Sequence, residues 1–178
     1  PHCIETWQAV GAVLGEDGRL RMPRAIVENA LNIAKRNLTL HAQDPAHDLD
    51  LSGSRVHFAT GGAAVMVADS ANNHYRESTT RDLYNLARIA DNCEHIHMFQ
   101  RMCVLRDIDN TYDIDLNTTY CFAARTRKHV CERWTNCHHL AKTSQMFPFL
   151  TEAVDHMSAR PLVRHLNSFV IPPMNVAT

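Results

Sequence analysis

Residues 75–134 read YRESTTRDLYNLARIADNCEHIHMFQRMCVLRDIDNTYDIDLNTTYCFAARTRKHVCERW, and within them two helical patterns alternate with two strand-like runs. Thr80 to Asn92 carries Leu83, Leu86, Ala87 and Ala90 on one face at i, i+3, i+4 spacing. Ser78 or Thr79 caps this helix, and Asp82 lies three residues past Thr79, as in a capping box. His95 to Gln100 reads as a strand. Asp113 to Ala124 reads as a helix with Leu116, Tyr120 and Ala123 on one side, and Lys128 to Trp134 as a further strand with its loop. Such alternation predicts consecutive β/α units, in which the chemistry sits beyond the carboxyl ends of the strands.

Working outward, Arg55 to Thr60 followed by Gly61-Gly62 is a candidate first strand with its loop, and Ala63 to Asp69 leads into a polar stretch, Ser70 to His74. Downstream, His138 to Phe147 is helical as far as Pro148, and Leu162 to Ile171 is a fourth strand closed by Pro172-Pro173. The opening third differs. A helix through Ile4, Trp7, Val10 and Ala12 ends at Gly15, and a second begins near Pro23 with a stripe of Ile26, Val27, Ala30, Leu31 and Ala34. Leu38 to His41 and Asp48 to Leu51 are short strands around the Asp44-Pro45 turn. The expected fold class is α/β: a small α+β portion over residues 1–54, then a partial (β/α)8 TIM-type barrel of about four units over residues 55–178. A closed barrel takes roughly 250 residues. This chain has 178, opens at Pro1 and stops at Thr178, so it is expected to be part of a longer polypeptide.

Composition narrows the function classes. The formal net charge is -1 with Lys and Arg scattered, which argues against a surface that tracks phosphates on nucleic acid. The longest apolar stretch, Ala63 to Ala68, is too short to span a bilayer, and no signal peptide is visible. Cys3, Cys93, Cys103, Cys121, Cys131 and Cys137 are dispersed through the chain, which favours free thiols and a cytoplasmic setting. His95 and His97 alternate along a strand, and Cys131, Cys137, His138 and His139 cluster, but their spacing fits no standard zinc pattern, so no metal is expected.

Several segments together resemble the trimethylamine and glycine betaine methyltransferase family. They are Tyr75 to Tyr84 with Ala87-Arg88, then His97, Phe99-Gln100-Arg101, Asp115-Leu116-Asn117 and Lys128-His129-Val130. Arg160-Pro161-Leu162-Val163 through Met174 belongs to the set, as do Leu38 to Ala42 and Asp44 to Asp48 upstream. After Val130 the small-residue run of that family is replaced by Cys131-Glu132-Arg133-Trp134. The resemblance implies a (β/α)8 barrel that removes methyl from a tertiary or quaternary amine. The methyl passes to the reduced cobalt of a corrinoid carried by a separate small protein. It also implies that this portion alone has little activity, because the pocket needs both halves of the ring.

Candidate site residues follow from strand ends. Gln100 and Arg101 close the second strand, Trp134 follows the third, and Asn167 falls in or beyond the fourth. These four are the substrate-binding candidates, with Arg101 suited to an anionic group and Trp134 to one wall of an ammonium cage. A salt bridge for Arg101 and plain packing for Trp134 are the competing readings. Glu132 is read as a structural ion-pair partner. Gly61 and Gly62 are candidates for close backbone approach to the cofactor, or simply a turn. Three other functions compete: an inactive barrel fragment that self-associates or binds a partner through open strand edges, a His/Cys metal protein, and a barrel enzyme acting on phosphorylated substrates.

Overall fold

The computed structural model describes residues 2–150, 159–165, 169–170 and 175–176. The chain forms two compact units, residues 1–37 and 38–178. In the first, helix α1 (His2–Ala9) leads to a ribbon of β1 (Val13–Leu14) and β2 (Leu20–Arg21), followed by helix α2 (Arg24–Ile33). The first helix stops earlier than the sequence suggests. Gly11 adopts φ +99 and its amide donates to Gln8 O at 2.9 Å, so a left-handed glycine ends α1 and frees Val13 and Leu14 to pair with Arg21 and Leu20.

The second unit begins with a hairpin of β3 (Thr39–Leu40) and β4 (Leu49–Asp50), followed by a hairpin of β5 (Met66–Asp69) and β6 (His74–Glu77). Then come helix α3 (Thr80–Asn92), β7 (Met98–Gln100), helix α4 (Thr111–Ala123), β8 (His129–Glu132), helices α5 (Cys137–Thr143) and α6 (Phe147–Leu150), and β9 (Val163–His165). The short strands β10 (Phe169–Val170) and β11 (Asn175–Val176) pair antiparallel. Strands β7, β8 and β9 are parallel and adjacent in chain order, and each crossover between them carries helix.

Both faces of these strands are covered, which is why β8 is buried along its whole length. Phe99 and Val130 join a core with Leu83, Ala87 and Ala90 of α3 and with Cys121, Phe122 and Phe147. Met98 and Cys131 cluster instead with Leu40 and Leu49 of the first hairpin. That hairpin is anchored by Asp48, whose carboxylate accepts from Ala42 N (2.8 Å), pairs with His41 and takes two contacts from Arg160 (2.8 and 2.9 Å). Burial alone would raise the Asp48 carboxyl, but the Ala42 amide, His41 and Arg160 outweigh it and hold it below the ordinary value.

The structure alters four expectations. Arg55 to Thr60 forms no regular strand among the described residues. Ala59 makes an isolated parallel bridge to Met98, and the Thr60 hydroxyl takes over the ladder, donating to Gln100 O (2.6 Å) and accepting from Gln100 N (2.8 Å). The polar stretch after Asp69 is a hairpin turn, with Asn73 at φ 58, and His74 already starts β6. The expected strand from Leu162 to Ile171 is split. β8 ends at Glu132, opposite His165, and Phe169–Val170 pairs with β11; residues 166–168 and 171–174 lie outside the described residues. Finally, the buried face of α4 is not the Leu116/Tyr120 side. Asp115, Thr118, Thr119, Cys121 and Phe122 are buried together with the expected Ala123, while Tyr120 is exposed and stacks on Tyr84.

Candidate functional site

The carboxyl ends of β7 and β8 are held by local devices readable in the sequence. Thr79 and Asp82 form a full capping box at the start of α3, and Arg76 grips Asp82 through two bonds of 2.7 and 2.8 Å. The Arg76 pairing drives the Asp82 carboxyl well below its usual value. Ser78, fully buried, donates to Val104 O (2.6 Å), and Asp107 accepts from the Thr80 amide at 2.9 Å. The loops after β6 and β7 are thereby tied to one helix terminus.

On the β8 side the clamp is Asp115. One carboxylate oxygen accepts from Thr135 N (3.0 Å), the Thr135 hydroxyl (2.7 Å) and His139 Nδ1 (2.7 Å). Asp115 is completely buried and fixes the segment that follows Glu132. Trp134 turns into the core in this segment, its Nε1–H donating to Thr143 Oγ1 at 2.9 Å.

Between these supports lies a pocket of about 210 Å³ lined by Gly62, Ala63, Gln100, Arg101, Cys131, Glu132 and Arg133. Gln100 pairs in register with Cys131, so Arg101 and Glu132 occupy the next positions beyond the ladder. Arg101 Nη1 stands 3.6 Å from Glu132 Oε1, with their side chains 13% and 0% exposed. That distance is an ion pair but not a hydrogen bond. Both Glu132 oxygens and Arg101 Nε are buried without a hydrogen-bond partner. Burial pushes the Glu132 carboxyl up to about 7, against the opposing pull of Arg101 and of the adjacent Arg133 amide, while nearby Asp115 pushes it further up.

Of the sequence candidates, Gln100, Arg101 and Gly62 therefore meet in this pocket. Gly61 stands beside it, where an added Cβ would lie 3.8 Å from the Gln100 side chain. Gly62 has φ +123, a conformation that itself demands glycine, and an added Cβ there would reach no closer than 3.8 Å to Met102 O. Trp134 is in the core rather than among the lining residues, and Asn167 lies outside the described residues. Glu132, read as a structural partner, does face Arg101, but its two unbonded oxygens make it a chemically notable group. Its signal was available as the one acid in the run Lys128 to Trp134. Asp115 was missed as a support because its neighbours suggested a different helix face.

Among the described residues no group of three or more His, Cys, Asp or Glu could hold a metal ion. His95 is exposed in a turn ahead of β7, and His97 Nδ1 accepts from Phe58 N at 2.9 Å. Cys93, Cys103, Cys121 and Cys131 are free thiols, and burial raises Cys103 to about 11 and Cys121 to about 12. No helix among the described residues is long and apolar enough to cross a membrane.

Comparison with known proteins bears on the chain as a whole. The family model described as trimethylamine methyltransferase (MTTB) matches residues 1–177. Trimethylamine methyltransferase MttB of Desulfitobacterium hafniense (strain DSM 10664 / DCB-2) is 28% identical over 143 residues, which is 80% of this chain and 29% of that protein. Glycine betaine methyltransferase of Desulfitobacterium hafniense (strain Y51) is 28% identical over 83 residues, 47% of this chain and 17% of that protein. The matched stretches thus cover less than a third of either curated relative.

Proposed function

The chain belongs to the trimethylamine methyltransferase family, and from that membership we propose that it is part of an enzyme moving a methyl group from a methylated amine to the cobalt of a corrinoid protein. The fold reading that goes with it is the front of a (β/α)8 barrel. Three parallel strands adjacent in chain order, helical crossovers and a parallel bridge at Ala59 support that reading. The observation that carries the function is the convergence of Gln100, Arg101 and Glu132 on one pocket at the carboxyl ends of β7 and β8, where β/α enzymes place their substrates.

The chemistry asks little bond-making of the protein. A methyl on nitrogen departs readily when the nitrogen is cationic, because the leaving group is then a neutral amine. The nucleophile is cobalt(I), which belongs to the acceptor substrate carried by the partner protein. This chain's task is to hold the amine in line and to exclude water. Arg101 offers a fork to an anionic group, Gln100 a neutral hydrogen-bonding amide, and Glu132 a buried counter-charge.

The test is methyl transfer from trimethylamine or glycine betaine to a cobalt(I) corrinoid by the full-length protein, followed through the absorbance of methylcobalt(III). Turnover with either donor is expected. Failure with both, in the presence of a supplied cobalt(I) corrinoid protein, rejects the assignment.

A further inference from the structure

Resting on the reading of this pocket as the methyl-donor site, we propose that Arg101 and Glu132 are its specificity-determining pair, selecting a dipolar donor that bears both a carboxylate and a cationic nitrogen over a simple monocationic amine. The argument starts from what each group lacks. Arg101 is nearly buried with its Nε unbonded, and Glu132 is buried with neither oxygen bonded. Buried ionic groups without hydrogen bonds are costly, and adjacent opposite charges at 3.6 Å compensate only through space.

A ligand carrying one charge would satisfy one member and strand the other. A cation at Glu132 would repel Arg101; an anion at Arg101 would repel Glu132. A dipolar ligand laid antiparallel to the pair satisfies both, with its carboxylate forked by Arg101 and its nitrogen against Glu132. The lining supports the same conclusion by what it contains. None of the described lining residues is aromatic, so a quaternary nitrogen has no ring face there and depends on the Glu132 charge. Asp115 is not among the lining residues of this pocket, and its Oδ2 is committed to Thr135 and His139.

The experiment titrates the full-length protein by calorimetry with three probes built on one trimethyl-substituted centre. They are glycine betaine, which is dipolar; tetramethylammonium, which is cationic; and 3,3-dimethylbutanoate, the carbon isostere of betaine, which is anionic. Wild type is expected to bind betaine about 10- to 100-fold more tightly than either singly charged probe. Arg101→Met erases the preference over tetramethylammonium, and Glu132→Gln erases the preference over 3,3-dimethylbutanoate. The double variant R101M/E132Q removes both charges together, so it reports on the pocket without a stranded ion if a single variant folds poorly.

Equal affinity for betaine and tetramethylammonium in wild type, unchanged preferences in both single variants, or no binding of any probe overturns the proposal. The two readings fail separately. Selective betaine binding without methyl transfer to cobalt leaves this pair standing and removes the enzymatic assignment. Methyl transfer with preferences untouched by the substitutions does the reverse.

Discussion

Replacing Asp115 by alanine should release the segment that follows β8. Three donors converge on one oxygen of this buried carboxylate: Thr135 N at 3.0 Å, the Thr135 hydroxyl at 2.7 Å and His139 Nδ1 at 2.7 Å. Each such bond is worth about 1 kcal/mol net, and donors left unpaired add their own penalty. His139 is 17% exposed in its side chain and can recover water, so the expected local loss is about 3 kcal/mol rather than the upper figure of about 5 for a broken buried pair. That corresponds to about 100-fold faster opening. Hydrogen exchange at the Thr135 amide reads it directly, since that amide donates to the removed group. Asp115→Asn keeps an acceptor oxygen for Thr135 and should recover roughly half the effect. Exchange at residues 133–139 within about threefold of wild type in Asp115→Ala, under 1 kcal/mol, would refute the clamp.

Two further outcomes are expected. Glu132 is raised by burial from an ordinary 4.5 to about 7, so between those values the native state holds more protons than the unfolded one. Its contribution therefore makes stability fall as pH rises through that window. Glu132→Gln should flatten this slope in melting curves collected across it; an unchanged slope would mean the carboxyl is not titrating there. Lys128 is buried and donates to Ala90 O and Cys93 O, both at 2.7 Å, at the C-terminal end of α3. Lys128→Met should cost about 1–3 kcal/mol in urea denaturation through these two bonds to carbonyls at a negative helix end, and a cost below about 0.5 kcal/mol would exclude that capping role.

Helix α3 was legible to the residue because cap, capping box and apolar stripe all point the same way. β7 and β8 were both found, with the start of β7 set too early. His95 to His97 carry strand-compatible side chains, yet His95 lies in the turn leaving α3 and His97 N donates to Phe58 O, and only register with β8 fixes where that pairing starts. The first strand was misjudged because a side-chain hydroxyl supplies hydrogen bonds that a backbone pattern cannot announce. Helix α4 misled for a related reason. Burial of Asp115 depends on Thr135 and His139, which lie well beyond any local window, while the Thr119 hydroxyl is absorbed within the helix by Asp115 O. At the pocket, Gln100 and Arg101 followed from strand-end logic. The weight of Glu132 emerged only when its oxygens proved to lack donors.

The Asp48–Arg160 contact joins residues separated by 112 positions. During translation the acidic member leaves the ribosome long before its basic mate is made. In that interval the carboxylate has only the neighbouring Ala42 amide and His41 for company, and the entropy of so wide a loop opposes early closure. The latch therefore closes late, so a nascent chain stalled short of residue 160 would keep its first hairpin unfastened and open to proteases.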